Sequence, residues 1–294
     1  MNLYASLADV INAQNSTAYE PVDERAFLFY SRVVSRRIDA IMASKRPFFA
    51  PYIETRKRRA VSVAINSTER TFTFDSALLE LSGVSVNDSA LTVPSQVYGY
   101  PDADMPPFNA LQLADYAASW YSVCSGCNGA ALPVISISGT WGYHRDYENA
   151  WVAVDVLQAN INDSVTSIEV ADIDGIDKYG FTPRISAGNL IKIGNEMMEV
   201  TATYPEADDP DADDDVTVIR GVNGSTAAAH AQNDVVYVWY PEWQIRSVTA
   251  RQAALMYARR GGYNAVTPGD GNTTYPPDLL QELLGVLQDY GYGA

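Results

Sequence analysis

The sequence predicts an α+β protein: a helical core made of N-terminal and C-terminal helices, antiparallel strands between them, and a small all-β domain inserted ahead of the last helices. Three observations predict it. Apolar residues recur at spacings of three and four after Asp23, after Pro241 and after Asp278, the helical period. Val134, Ile135 and Ile137 interleave with Ser136 and Ser138, the period-two pattern of a half-buried strand. The segment 152–240 is acidic and β-patterned throughout, and the chain returns to helix beyond it. The implied organisation is 1–151, an inserted module at 152–240, and 241–294.

Each element has a local reason. Leu3, Leu7, Val10 and Ile11 share one face of a short helix within 2–14. Asp23 is placed to cap a stronger helix in which Phe27, Tyr30, Val34, Ile38 and Ile41 form the apolar stripe and Arg25, Arg32 and Arg36 another. That helix is expected to stop near Arg46, because Pro47 cannot continue it. From Phe48 to Ser82 the β-formers Tyr52, Ile53, Val61, Val63, Ile65, Phe72 and Phe74 predict strands, and Asn87–Asp88 a hairpin turn. Residues 94–110 carry four prolines and read as a loop. A short strand is expected from Trp120 to Val123 and a turn from Cys124 to Gly129. The strand from Val134 is expected to break at Gly139 and Gly142, presenting Trp141 and Tyr143 on a bend. In the module, Ser164–Val170 alternates, and Gly194–Asn195 marks a hairpin between Leu190–Ile193 and Met197–Val200. Val216–Ile219 and Val235–Trp239 complete it. Ile245, Val248, Leu255 and Met256 mark the next helix, and Leu279, Leu280, Leu283, Leu284 and Leu287 the last, with proline at its first turn.

Composition narrows the function. With 47% hydrophobic residues in 294, the chain can bury a sizeable core. A net charge of −16 argues against a protein that coats nucleic-acid phosphates over a large area. Two cysteines make no disulfide framework. No run approaches roughly 18 apolar residues, so no membrane span is expected, and the N-terminus lacks the pattern of a secretory leader. Charge is uneven: ten of the 20 Lys and Arg lie between Arg25 and Arg59, whereas 151–240 holds 16 Asp or Glu against four Lys or Arg.

Four stretches carry a family resemblance: Lys45–Arg46–Pro47–Phe48–Phe49–Ala50–Pro51 followed by Glu54–Thr55–Arg56; Leu78–Leu79–Glu80–Leu81 running to Val86; Ile137–Ser138–Gly139–Thr140–Trp141–Gly142–Tyr143–His144; and the helix from Pro241 to Arg260 with a proline-led helix after it. In this order the chain resembles the bacteriophage head–tail connector (adaptor, or head-completion) proteins. The Gly-Thr-Trp-Gly-Tyr-His run is the most specific element, and the 152–240 insert is a departure from the pattern, similar to small β modules of phage structural proteins. The resemblance implies a helical connector core and a structural virion protein at the neck. It implies a homo-oligomeric ring, most often twelve-fold, under the portal protein. Such a ring extends the DNA channel, through which DNA passes without sequence-specific binding, and offers a platform to tail, nozzle or tail-terminator proteins. It calls for no enzymatic activity, no cofactor and no membrane contact. The alternative is a carbohydrate-binding or tail-accessory virion protein using the β insert.

The candidate residues follow. Arg25, Arg32, Arg36, Trp141, Tyr143, Leu283, Leu287, Tyr290 and Tyr292 are candidates for subunit or portal interfaces, and Arg56, Lys57, Arg58 and Arg59 for the channel or a basic patch. No catalytic residue and no metal ligand is expected. His144 has no nucleophile motif beside it, Cys124 and Cys127 lack two further zinc ligands, and the Glu206–Asp215 cluster lacks the glycine and terminal glutamate of a calcium loop. GxSxG, HExxH, phosphate-loop and dinucleotide fingerprints are absent from the sequence.

Overall fold

A computed structural model of the chain describes residues 3–14, 23–42, 48–59, 65–66, 68–102, 104–115, 119–120, 132–205, 214–259 and 279–290. Two compact units emerge: Phe48–Ala150, and a unit built from Met1–Pro47 together with Trp151–Ala294. Of the expected segments, 1–151 spans residues of both units, and 152–240 and 241–294 fall in the same one.

The fold class differs from the expected α+β helical connector core. The described residues form two antiparallel sheets, of seven and six strands, and four helices: α1 (Leu7–Gln14), α2 (Glu24–Ile41), α3 (Trp243–Ala258) and α4 (Leu279–Gln288). The protein is mostly β, and the helices serve one unit only.

In the unit Phe48–Ala150 the sheet runs β1 (Tyr52–Arg59), β7 (Val134–Trp141), β3 (Thr71–Val86), β6 (Phe108–Leu113), β5 (Val97–Tyr100), with β2 (Ile65–Asn66) and β4 (Ser89–Leu91) also pairing with β3. The expected loop at 94–110 holds β5 and the start of β6. Its prolines bracket these strands instead of interrupting them: Pro94 precedes β5, Pro101 follows it, and Pro106 and Pro107 precede β6. Trp120 sits in a turn, its ring buried and its Nε1 donating to the Arg70 carbonyl at 2.9 Å. One face of the sheet is apolar: Ile135, Ile137 and Trp141 of β7 join Phe72, Leu78, Val84 and Val86 of β3 and Leu111 and Leu113 of β6 in one core.

The expected break at Gly139 does not occur, and β7 continues through Trp141. Glycine is required there by proximity: a Cβ would lie 2.1 Å from the Glu80 carbonyl oxygen. Gly142 does end the strand, at φ +153°, with a Cβ position 2.7 Å from the Ala50 oxygen.

In the other unit, β8 (Trp151–Val156), β13 (Val235–Trp239), β10 (Leu190–Ile193), β11 (Glu196–Tyr204), β12 (Asp214–Ile219) and β9 (Ser167–Val170) are hydrogen-bonded in that order. A bridge between Leu157 and Val170 and a hydrogen bond from Gln158 N to Glu169 O join the two outer strands, so the sheet curls into a small barrel. Each strand sends two residues inward at a spacing of two: Val152 and Val154, Ile168 and Val170, Ile191 and Ile193, Met198 and Val200, Val216 and Val218, Val236 and Val238. At about 1.5–3 kcal/mol per fully buried aliphatic side chain, this layered core accounts for much of the unit's stability.

The helices lie with the barrel. Phe27, Val34 and Ile38 are buried on α2, and Ile245, Val248, Ala253 and Tyr257 on α3; the Phe27 and Tyr257 rings meet at 4.1 Å. Asp23 occupies the N-cap of α2 without a side-chain cap hydrogen bond, and the helix stops at Ile41, short of the expected Arg46. α1 docks through Leu7 N to Ala187 O (2.9 Å).

Candidate functional site

Three stretches that carry the family resemblance meet at one end of β7. The chain turns at Gly142, whose N–H donates to Ala77 O at 3.1 Å, just before Leu78. Tyr143 N donates to Phe48 O at 2.7 Å, and the Tyr143 ring stacks on Phe48 (centroids 5.7 Å) and meets Phe49 edge-on. Thr140 Oγ1 and Tyr147 Oη donate to opposite oxygens of Glu80 at 3.1 and 2.6 Å. Segments near residues 48, 80 and 142, far apart in sequence, thus form one cluster.

Trp141 is the centre of that cluster and is buried, 2% exposed. Its Nε1 donates to Glu54 O at 3.1 Å, Phe74 packs edge-on at 5.4 Å, and the Arg56 guanidinium lies 4.1 Å over the ring. It is a core residue, not one available to a neighbouring subunit; Tyr143 keeps partial exposure. His144 is buried, and its Nδ1 accepts from Asp146 N at 3.1 Å.

The basic run lies on β1, an edge strand among the described residues. Arg56 pairs with Glu54 at 2.5 Å and Arg58 with Asp75 at 3.0 Å. Burial opposes the Asp75 charge, but the Arg58 charge and hydrogen bond bring its carboxyl below the usual value. Lys57 and Arg59 are exposed and carry no ion pair among the described residues. At the β5 side lies a groove of about 320 Å³ walled by Leu79, Tyr98, Phe108 and Tyr147, with the carboxylates of Glu80 and Asp104 beside them.

In the other unit, Arg25, Arg32 and Arg36 are exposed on α2, and Arg32 Nη2 is bound to Glu199 of β11 at 3.1 Å. Leu283 and Leu287 are buried, on a helix that packs against α3, so this face of α4 covers its own unit. Tyr290 is nearly buried, with Oη 3.3 Å from Glu242 and Gln244 oxygens. Tyr292, the Cys124–Cys127 pair and 206–213 lie outside the described residues.

The structure adds groups that the sequence reading missed. Glu196, at the start of β11, accepts from Arg220 Nε and Nη2, His230 Nε2, Gly221 N and Ala228 N at 2.7 to 3.0 Å, while Arg220 also donates to the carbonyls of Asn162, Val165 and Ala228. Burial would raise the Glu196 carboxyl; the Arg220, Ala228 and His230 hydrogen bonds and the Arg220 charge win and hold it at about 2. Arg246 of α3 grips Asp9 of α1 with two nitrogens (2.7 and 3.0 Å), between the rings of Phe181 and Tyr240. Burial and a hydrogen bond to Asp177 push the Tyr240 phenol far above its ordinary value.

Asp172, Asp174 and Asp214 bring carboxylate oxygens within 4.8 Å of one another. Asp172 is already bound by Arg184 (2.6 Å) and by Gly175 N, and Asp214 accepts from Ile173 N, so the group is a salt-bridged turn and not an open cage. The shared hydrogen bond with Asp172 raises the Asp174 carboxyl, and burial raises that of Asp155 nearby. Exposed aromatic residues stand beside this turn: Tyr179 packs edge-on against Tyr240 (6.0 Å) and Phe181 against Trp243 (5.5 Å), with Trp243 61% and Ile176 67% exposed.

No family model, curated protein or solved structure matches this chain.

Proposed function

We propose that the protein is a structural component of a phage virion, a head–tail adaptor whose copies form a ring, with twelve-fold symmetry, between the portal and tail or nozzle proteins. The observation that carries this reading is the meeting of three resemblance-bearing stretches at the end of β7 (Phe48–Phe49, Leu78–Glu80 and Thr140–Tyr143), tied by Tyr143 N to Phe48 O and by Thr140 to Glu80. The motifs act as one structural device. In this reading the unit Phe48–Ala150 lends sheet, not helix, to the ring, and the chain performs no catalysis and needs no cofactor. DNA passes the ring without sequence readout, in keeping with the acidic balance of the chain. Negative-stain imaging of the protein, alone and mixed with its portal, tests the reading. Closed rings or decorated portals are expected; single copies under both conditions overturn it.

A second reading is favoured by the exposed rings of Tyr179 and Trp243 beside Asp174 and Asp177: a carbohydrate-binding or tail-accessory virion protein that stacks sugar on that surface. Glycan binding lost in Trp243→Ala and Tyr179→Ala supports it, and no retention of host-surface glycans by the wild type removes it.

A further inference from the structure

The two edges of the Phe48–Ala150 sheet have opposite character. On β1 the side chains of Thr55, Lys57 and Arg59 alternate outward and are exposed. Arg56 and Arg58 are neutralised by Glu54 and Asp75, which leaves Lys57 and Arg59 as the cations this edge offers. At the β5 side, the groove of about 320 Å³ sets the rings of Tyr98, Phe108 and Tyr147 against the carboxylates of Glu80 and Asp104. Each Glu80 oxygen accepts one hydrogen bond from within the unit and retains a lone pair. Aromatic faces beside carboxylates make a receptor for a lysine or arginine head: the ring attracts the cation and the carboxylate accepts its hydrogen bonds.

The strand order β1-β7-β3-β6-β5 puts the cations on one edge of the sheet, whereas the groove spans β3, β6 and β5 on its other side. Glu80 pairs with Thr140 and Thr140 with Ile53, so Lys57 stands two strands across, about 10 Å at ~4.8 Å each, and four residues along, about 13 Å at ~3.3 Å each, from that carboxylate. A copy cannot place its own β1 cations in its own groove. Polyanionic nucleic acid would answer the cations and leave an acidic groove unfilled, whereas another copy of the chain satisfies both surfaces at once.

We propose that Lys57 and Arg59 of one copy enter the Tyr98–Phe108–Tyr147 groove of the next, paired with Glu80 and Asp104, so that copies join head to tail through the β1 edge of one and the β3–β5 side of the other. A contact of this heterologous kind repeats from copy to copy and closes into a ring when the rotation allows. This interface rests on the reading of the chain as a self-assembling adaptor, and it names the surfaces that do the assembling.

The test uses full-length protein in which Cys124 and Cys127 are replaced by serine. Two single-cysteine variants, Lys57→Cys and Asp104→Cys, are oxidised separately and mixed. A disulfide needs Cα atoms within about 7 Å, so a bond inside one copy is out of reach. The mixture is expected to give a cross-linked dimer at least tenfold above either variant alone. In parallel, Lys57→Glu/Arg59→Glu and Glu80→Gln/Asp104→Lys are each expected to abolish assembly by sedimentation, and the four changes together to restore it, with circular dichroism showing that all are folded. Wild-type rings that neither cross-link selectively nor respond to charge reversal overturn this interface and leave the adaptor reading standing. The selective cross-link without closed rings supports the interface and removes the ring. Neither rings nor cross-link, with and without portal, ends both.

Discussion

Replacing Arg220 by methionine leaves Glu196 with no side-chain exposure and without its counter-charge. Arg220 supplies two of the five hydrogen bonds that the carboxylate accepts, and the neighbouring backbone groups cannot replace a cation. The carboxyl falls from 4.5 to about 2 on folding, which corresponds to about 3 kcal/mol of pH-dependent stability. Stranding the buried charge costs about 3–5 kcal/mol. Urea unfolding at pH 7 should therefore show a loss of that size, or roughly 10 °C in the melting temperature of this unit. The double variant Glu196→Gln/Arg220→Met should lose less than the sum of its single changes, because neither charge is then left alone. The pH dependence has a definite sign. The folded carboxyl titrates below the unfolded one, so its contribution is complete above about pH 4.5 and disappears as pH falls through 2. The wild-type advantage over Glu196→Gln should shrink through that window. An Arg220→Met loss under about 1 kcal/mol, or an advantage constant from pH 7 to pH 2, would refute the assignment of Arg220 as the counter-charge that holds Glu196 ionised.

Asp155 has the opposite sign: its folded carboxyl is raised, chiefly by burial, so its charged form opposes folding. The stability of Asp155→Asn relative to wild type should improve as pH climbs from below 3.8 towards neutrality, readable in paired urea titrations. Gly139→Ala drives a Cβ towards the Glu80 carbonyl and should cost at least about 3 kcal/mol by thermal melting, since backbone cannot step aside as a flexible side chain does. Arg246→Ala removes the partner of half-buried Asp9 and should expose the α1 amides to hydrogen exchange before those of the barrel. Trp243→Ala, at a largely exposed ring, should change stability by under about 1 kcal/mol.

The barrel was the most legible part of the sequence, because its inward pairs alternate strictly and Gly194, at φ +56°, marks the β10–β11 hairpin. The four helices were also found, from local apolar periodicity. Their weight in the fold was misjudged. Helical stripes are long, continuous signals, whereas β5 and the start of β6 are short strands bracketed by prolines that look like loop, and the sixteen-residue β3 is bent by bulges so that its length does not show as one strand. Among the candidate residues, Trp141, Leu283 and Leu287 proved to be core: an amphipathic stripe shows that a face is buried but not by whom. The ion pairs Arg32–Glu199 and Arg246–Asp9 join residues 167 and 237 positions apart, and no local pattern announces such a partner. Glu196, Arg220 and His230 were readable as charges in a β module, but their convergence depends on strand register.

The discontinuity of the unit built from both ends of the chain governs the order of its birth. At roughly 5–20 residues per second, α1 leaves the ribosome some 10–50 s before the α3 arginine that will hold it. The sheet between Phe48 and Ala150 is complete in sequence long before then and can close first. During that interval Leu7, Val10 and Phe27 lack Ala250, Ala253, Ala254 and Tyr257, the α3 part of the cluster that buries them. The apolar faces of α1 and α2 are thus open to other partners for longer than the sheet that follows them in sequence.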